Sequence, residues 1–419
     1  MNALRVSGTA ALVSMLVAFA QPSLAIEPTG NEVADAFLTA IEPNDGGTLT
    51  HGDVAASGST VTISDIKVGY TGDAGSGTAL LGTTAIANGH VADGVLTADS
   101  LSIEDVTMDE VDSQSKLTVA SIVVNKPEIP IERPATASGE PSSSLSDYQD
   151  AELTKLVFTD ENGSELPVER ALLAVTKRID GDPRGGTIKL ENAVMETATI
   201  EDEETRKRLT DLGYSEIVVD LAAEGDWNSD DGTATLKQLE VSAKDMGTLK
   251  MSGQFLGLTP EVVAALQQDD NDFSQLMQTM QGVSVAGLTI RYDDASLAGR
   301  AMELTAKDQS VTKPELIDTL NMQVSQMLAM LENKGFEEKV SAAVKMFLND
   351  PQSLEITAKP AAPVPFAQIV GTVMMAPQTL PNVLSVGVAA NEPAAEPATG
   401  ATGGSSPGNP ASGDAPAKQ

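Results

Sequence analysis

Cysteine is absent from this chain of 419 residues, and histidine occurs twice, at His51 and His90. The first absence removes disulfides, thiolate zinc sites and thiol nucleophiles together. The second leaves no His cluster for a metal, and a serine triad would have to rest on a histidine in a turn-like polar context. Aromatic residues make up 3% of the chain, few for a sugar-stacking cleft. Basic residues are scarce as well: 26 Lys and Arg stand against 60 Asp and Glu, a net charge of −34. That balance argues against nucleic acid as a partner and against direct attraction to an anionic membrane. Walker A, HExxH and dinucleotide fingerprints are missing. The one G-x-S-x-G, GSSPG at 404–408, sits in low-complexity sequence with no strand before it or helix after it, so it is no nucleophile elbow.

The first 25 residues have the form of an export signal. Arg5 supplies a positive start, residues 6–20 an apolar stretch, and Ser23-Leu24-Ala25 a small-x-small cleavage site. Cleavage before Ile26 is expected, giving a periplasmic chain. No Cys follows the site to carry a lipid, and the stretch 366–376 is apolar but shorter than a spanning helix needs. No transmembrane segment is therefore expected after cleavage.

What the chain does have is a recurring octapeptide: apolar, x, apolar, x, small polar or Gly, apolar, x, apolar. It reads VTISDIKV at 61–68 and LSIEDVTM at 101–108. Looser copies are LTVASIVV (117–124), IKLENAVM (188–195), ATLKQLEV (234–241) and VSVAGLTI (283–290). The alternation is that of a half-buried strand, but its phase slips by one residue in the middle. A slip would turn the later pair to the other face, so each copy predicts a β-bulge near its fifth position. The fold class is therefore α+β: a long, curved antiparallel sheet of bulged strands, followed by a C-terminal helical hairpin.

Turn signals divide the chain after the signal into a β-rich unit (26–131), a Pro/Ser-rich linker or long loop (132–149) and a second β-rich unit (150–258). A helical region with returning strands (259–390) and a disordered Ala/Pro/Gly/Ser tail (391–419) follow. Short helices are expected at 31–41 and 201–212, the latter with Gly213 as its cap. The hairpin comprises 314–332, with Thr312 as candidate cap and Ile317, Leu320, Val324, Leu328 and Leu331 on one stripe, and 336–348.

Candidate chemistry is sparse. DWNSDD at 226–231 places Asp226, Asn228 and Asp230 with the 1, 3, 5 spacing of a calcium loop. Asp231 occupies the position that demands Gly, however, and Lys237 the position that demands Glu, so an acidic hairpin turn is the better reading. No catalytic residue, cofactor-binding residue or metal ligand is assigned. Met322, Met330 and Met346 fall off the main stripes of their helices and are the candidate apolar-ligand surface, soft and adaptable.

Three stretches carry a family resemblance: 209–258 with its Gly-Tyr, acidic turn and Gly-Thr strand starts, 287–306 running through Tyr292-Asp293-Asp294 into a helix, and the bulged strands. Together they resemble exported AsmA-like and YdgA-type envelope proteins, lacking those proteins' retained membrane anchor. The resemblance implies a curved sheet with an apolar concave side and a role in envelope lipid homeostasis; it carries over no catalytic residue. The expected function is non-enzymatic, holding a lipid or acyl chain along the concave sheet or under the helical hairpin. The alternatives are a structural or partner-binding periplasmic protein with a self-filled core, and a hydrolase using an acid pair that nothing singles out.

Overall fold

Short β-type runs dominate 47–130 and 150–294, and in the computed structural model they are strands. It describes residues 27–43, 47–72, 75–131, 147–179, 182–266 and 277–393. The export signal, the linker residues 132–146 and the tail from 394, GSSPG included, lie outside the described residues. In chain order the first strands are β1 (Thr48–Thr50), β2 (Val54–Ser57), β3 (Thr60–Gly72), β4 (Gly75–Ala87), β5 (His90–Ala92) and β6 (Val95–Thr97). Then come β7 (Ser100–Glu110), β8 (Lys116–Asn125), β9 (Glu128–Pro130), β10 (Asp150–Thr159), β11 (Glu165–Ile179) and β12 (Asp182–Glu196). The later strands are β13 (Glu216–Asn228), β14 (Thr233–Ala243), β15 (Gly247–Leu256), β16 (Ser284–Asp294), β17 (Ser353–Ala358), β18 (Val364–Pro365) and β19 (Val386–Ala390).

Sixteen of these form one antiparallel sheet, an almost unbroken meander from β3 to β19. β1 and β2 cover the outer edge of β3. The two β-rich stretches belong to the same sheet, because β8 pairs directly with β10 from Lys116↔Thr159 to Asn125↔Asp150. β5, β6 and β9 make a separate three-stranded sheet inserted in the connections.

The phase slip is absorbed by left-handed residues. Asp65, Asp105, Lys155 and Asn192 have φ of 49°, 54°, 52° and 52°. Asp and Asn tolerate this region best among residues with a Cβ. For the copies at 61–68, 101–108 and 117–124 the expected two-against-one bulge needs correcting. Ser64 pairs with Thr83 and Ile66 with Leu81, so Asp65 simply faces Gly82, and no register is lost. By the same bracketing Asp105 faces Ala120, Lys155 lies between Ala120 and Glu169, and Asn192 faces Glu169. Every strand from β3 to β12 in this sheet carries its extra residue at one level, as an aligned line of kinks. Gly82 is needed there because a Cβ would come 2.8 Å from the Glu104 carbonyl oxygen. True bulges occur in the other copies: at 190–193 of β12, where Glu191 and Asn192 oppose Asp220 of β13, at 236–239 in β14 and at 285–287 in β16.

The kinks do what the pattern requires. Val61, Ile63, Ile66 and Val68 are all buried, as are Leu101, Ile103 and Val106 and all four apolar residues of 117–124. Asp65 and Asp105 are exposed. β4 holds a copy that the sequence reading missed, ALLGTTAI at 79–86, with Thr84 in an apolar position. Thr84 is 0% exposed, and its hydroxyl has no hydrogen-bond partner among the described residues.

The helices fall where caps and stripes place them. α1 (Glu32–Ala40) is capped by Asn31, whose Oδ1 accepts from the Val33 and Ala34 N–H groups at 3.1 Å. It packs Ala34, Phe37 and Leu38 into one core with Leu96 and Ile129 of the small sheet and the inner face of β3 to β10. α2 (Glu203–Asp211) is capped by Asp202 and ends before Gly213, φ 82°. α3 (Pro260–Leu266) and α4 (Leu297–Asp308) precede the hairpin of α5 (Lys313–Ala329) and α6 (Lys334–Asn349). Thr312 and Glu315 form a capping box on α5, and Asn333 caps α6. α7 (Phe366–Met375) and α8 (Leu380–Val383) follow, and no described helix is long and apolar enough to cross a membrane.

Replacing the buried, unpaired hydroxyl by a methyl of the same shape should stabilise the fold, so Thr84→Val is expected to raise the unfolding free energy by about 1 kcal/mol. At the kink, Asp65→Asn should change stability by less than about 0.5 kcal/mol, whereas β-branched Asp65→Val should cost about 1–2 kcal/mol. Urea titration of the three variants reads all of these. Equal effects of Asn and Val at position 65 would contradict the left-handed kink.

Candidate functional site

One cross-strand row traverses the whole sheet on a single face. It begins Val61, Ile86, Leu101, Val124, Ala151, each hydrogen-bonded neighbour of the last. It continues through Leu173, Ile188, Ala223 and Leu239. It ends Met251, Ile290, Ile356, Val388. Every member is apolar, yet their surroundings differ. The first four are at most 7% exposed beneath α1 and the small sheet, whereas Ile188 is 50% and Ile356 45% exposed. In β13 and β14 no residue is fully buried. The apolar face is thus covered over its first strands and open over its later ones.

The opposite face carries charged pairs over the later strands. Arg170 bridges Glu152 at 2.9 Å and Glu191 at 3.2 Å. Lys237 contacts Glu224 and Asp226, both at 2.9 Å. Lys250 reaches Asp293 at 3.2 Å, and Arg291 reaches Asp293 at 2.7 Å and Glu355 at 3.5 Å. A charged, internally paired face is an ordinary solvated surface. An apolar face of this extent left open is not.

Both ends of the open face are built from residues of the resemblance stretches. At one end Trp227 donates from Nε1 to the Leu258 carbonyl at 2.7 Å, and the Arg184 guanidinium lies 5.6 Å from its ring centroid. At the other, the Met246 carbonyl accepts from the N–H groups of Ala295, Ser296 and Leu297 at 3.0–3.2 Å. There the hydroxyls of Tyr214 and Ser296 are 2.9 Å apart, and Arg300 stacks 4.6 Å from the Tyr214 ring while donating to the Leu212 carbonyl at 3.0 Å. Tyr292 donates to Asp294 at 2.7 Å; burial, then that carboxylate, pushes its phenol well above the ordinary value and keeps it a neutral donor. Gly247 is required beside it, since a Cβ would meet the Tyr292 ring at 2.7 Å. α6 closes this end by packing Ala343 and Phe347 on Tyr292, Leu354, Val388 and Ala390.

Met322, Met330 and Met346 are exposed on the hairpin, whose inward residues are Leu316 and Ile317 on α5 and Ala343 and Phe347 on α6. Met327, Met374 and Met375 are exposed too and were not singled out from the sequence. Nor were Ile188, Leu239, Met251 and Ile356 read as one surface, because the row exists only once strand register is known.

The acidic segment 226–231 is the hairpin turn between β13 and β14. Asp226 is paired with Lys237, and Asp231 accepts the Thr233 N–H at 2.8 Å, which holds its carboxyl below the usual range. Among the described residues no group of three or more His, Cys, Asp or Glu is arranged to hold a metal ion. A depression of about 420 Å³ on the sheet is lined by polar groups that include Glu191, Asn192 and Asp220, which already bond one another or Arg170.

A family model described only as "Uncharacterized protein" matches residues 240–391, from within β14 to just past β19. No curated protein matches the chain. The matched span contains half of the open face and all of the helical hairpin.

Because the turn's carboxylates are already engaged, micromolar calcium should move the melting temperature by less than about one degree. A rise of several degrees that Asp226→Ala removes would show a calcium site.

Proposed function

We propose that the protein is a non-enzymatic, exported module that holds an apolar ligand, an acyl chain of lipid type, along the open part of the sheet. The observation that carries this reading is the single apolar row, sealed by the chain's own side chains up to β8 and left uncovered from β12. A self-filled structural sheet would cover the row throughout, as the first strands do. A hydrolase would need converging titratable groups, and Glu191, Glu224, Asp226, Asp293 and Glu355 on the later strands instead pair with Lys or Arg across the polar face. The ligand class follows from the surface: a long, uncharged strip many strands wide suits a flexible hydrocarbon chain, with affinity from apolar area rather than from polar contacts. Periplasmic residence rests on the signal-like first 25 residues, and the high negative charge suits a soluble carrier there.

Delipidated, refolded protein should take up a fluorescent fatty acid, and Leu239→Glu should reduce uptake at least about tenfold, a loss near 1.4 kcal/mol of binding. Its melting temperature should fall little, because Leu239 is only part-buried. Ile103→Asp, in the sealed part, should unfold the protein by burying an unpaired charge. Wild-type protein that is folded yet takes up no acyl probe would sink the reading.

A further inference from the structure

Residues 360–391 contain no Asp, Glu, Lys or Arg, although the chain is 21% charged and about seven would be expected there. The stretch is not core. α7 (FAQIVGTVMM) has no buried residue, and its last turn exposes Met374 at 80% and Met375 at 87%. A solvated helix in so acidic a chain would ordinarily show charge on its outer side. Two hydrogen bonds fix where this helix lies. The Phe366 N–H donates to the Val283 carbonyl at 2.8 Å, setting its start beside β18, which pairs with Val285 at the margin of the open face. The Asn333 side chain donates to the Gln378 carbonyl at 2.9 Å, setting its end beside the turn of the α5–α6 hairpin. Met327 and Met330, both exposed, lie at the end of α5 that leads into that turn.

We propose that this tip, the end of α7 with the end of α5, docks the protein on an electrically neutral phospholipid surface. The proposal rests on the acyl-carrying function and adds its partner. Unbranched thioether side chains adapt to a fluid surface, and the uncharged stretch offers no ion pair to specify a protein. The stretch 360–391 supplies no Lys or Arg, and Lys334 in the neighbouring turn is flanked by Glu332 and faces Glu338 at 3.9 Å, so the contact gains little from anionic headgroups and the net charge of −34 opposes them. A helix of 10 residues is about 15 Å long, too short to span a bilayer and suited to lie in its interface. Continuity completes the case: α7 follows β18, which pairs with Ser284 and Val285 on β16, the same strand that carries Ile290 of the open row, so an acyl chain leaving the sheet along β16 would reach the docked surface.

The test uses the mature chain, vesicles of phosphatidylcholine and vesicles with about a third phosphatidylglycerol. Flotation with the neutral vesicles, weaker with the anionic ones, is expected. Met374→Glu/Met375→Glu should lower partition at least about tenfold while leaving the melting curve and vesicle-free acyl uptake unchanged. Vesicle binding that survives the double substitution, or no binding by the wild type, overturns the proposal. So does a wild-type dimer that the same substitution splits, which would assign the tip to a second copy. Uptake without vesicle binding sinks the docking and spares the carrier function; vesicle binding without uptake does the reverse.

Discussion

Keeping one face apolar across more than a dozen hydrogen-bonded strands is the constraint on which this structure depends. In a meander each strand inherits its phase from the one before, so a single extra residue would turn every later side chain over. The chain meets this by giving each strand from β3 to β12 the same extra residue at the same level. Asp65, Asp105, Lys155 and Asn192 take the left-handed conformation, and the strands between them pass Gly82, Ala120 and Glu169 opposite. The cost of a left-handed residue is kept low by Asp and Asn. From β3 to β12 each kinked strand keeps register with the strand before it, bulges at 190–193, 236–239 and 285–287 adjust the later strands, and the apolar row runs on to Val388.

That uniform face then meets two different fates. Over the early strands α1 and the small sheet complete a conventional core, centred on residues such as Ile63 and Ile103 that water does not reach. Over the later strands, among the described residues, nothing of comparable size lies on it except α6 at the Tyr292 end. The polar face, by contrast, is finished along its length by pairs such as Arg170 with Glu152 and Lys250 with Asp293. The proposed carrier function and the proposed docking tip both grow from this asymmetry, since the uncharged stretch 360–391 adjoins the open end and not the sealed one.

Much of the fold was legible in the sequence because its signals are local. Phase slips in 61–68 and 101–108 located the kinks to the residue, Asn31 and Thr312 marked helix starts, and Gly213 marked a helix end. The mode of the slip was not legible. Whether an extra residue is opposed by one partner or by another extra residue depends on the neighbouring strand, and β4 disguised its copy with Thr84. The open face was harder still. Ile188 and Ile86 look alike in sequence, and only the location of α1 and the small sheet separates a core residue from an exposed one. The three off-stripe methionines are exposed on the hairpin, while the larger apolar surface lies on strands that read as ordinary amphipathic ones.

A fatty acid carrying a photoreactive group at its chain end, bound to the protein and cross-linked, tests the central claim most directly. The account predicts adducts on peptides holding Ile188, Leu239, Met251, Ile290 and Ile356, and none on those holding Val61, Ile86 and Leu101. Adducts on the polar-face residues Lys189, Glu240 and Lys250, or spread evenly over the chain, would contradict it.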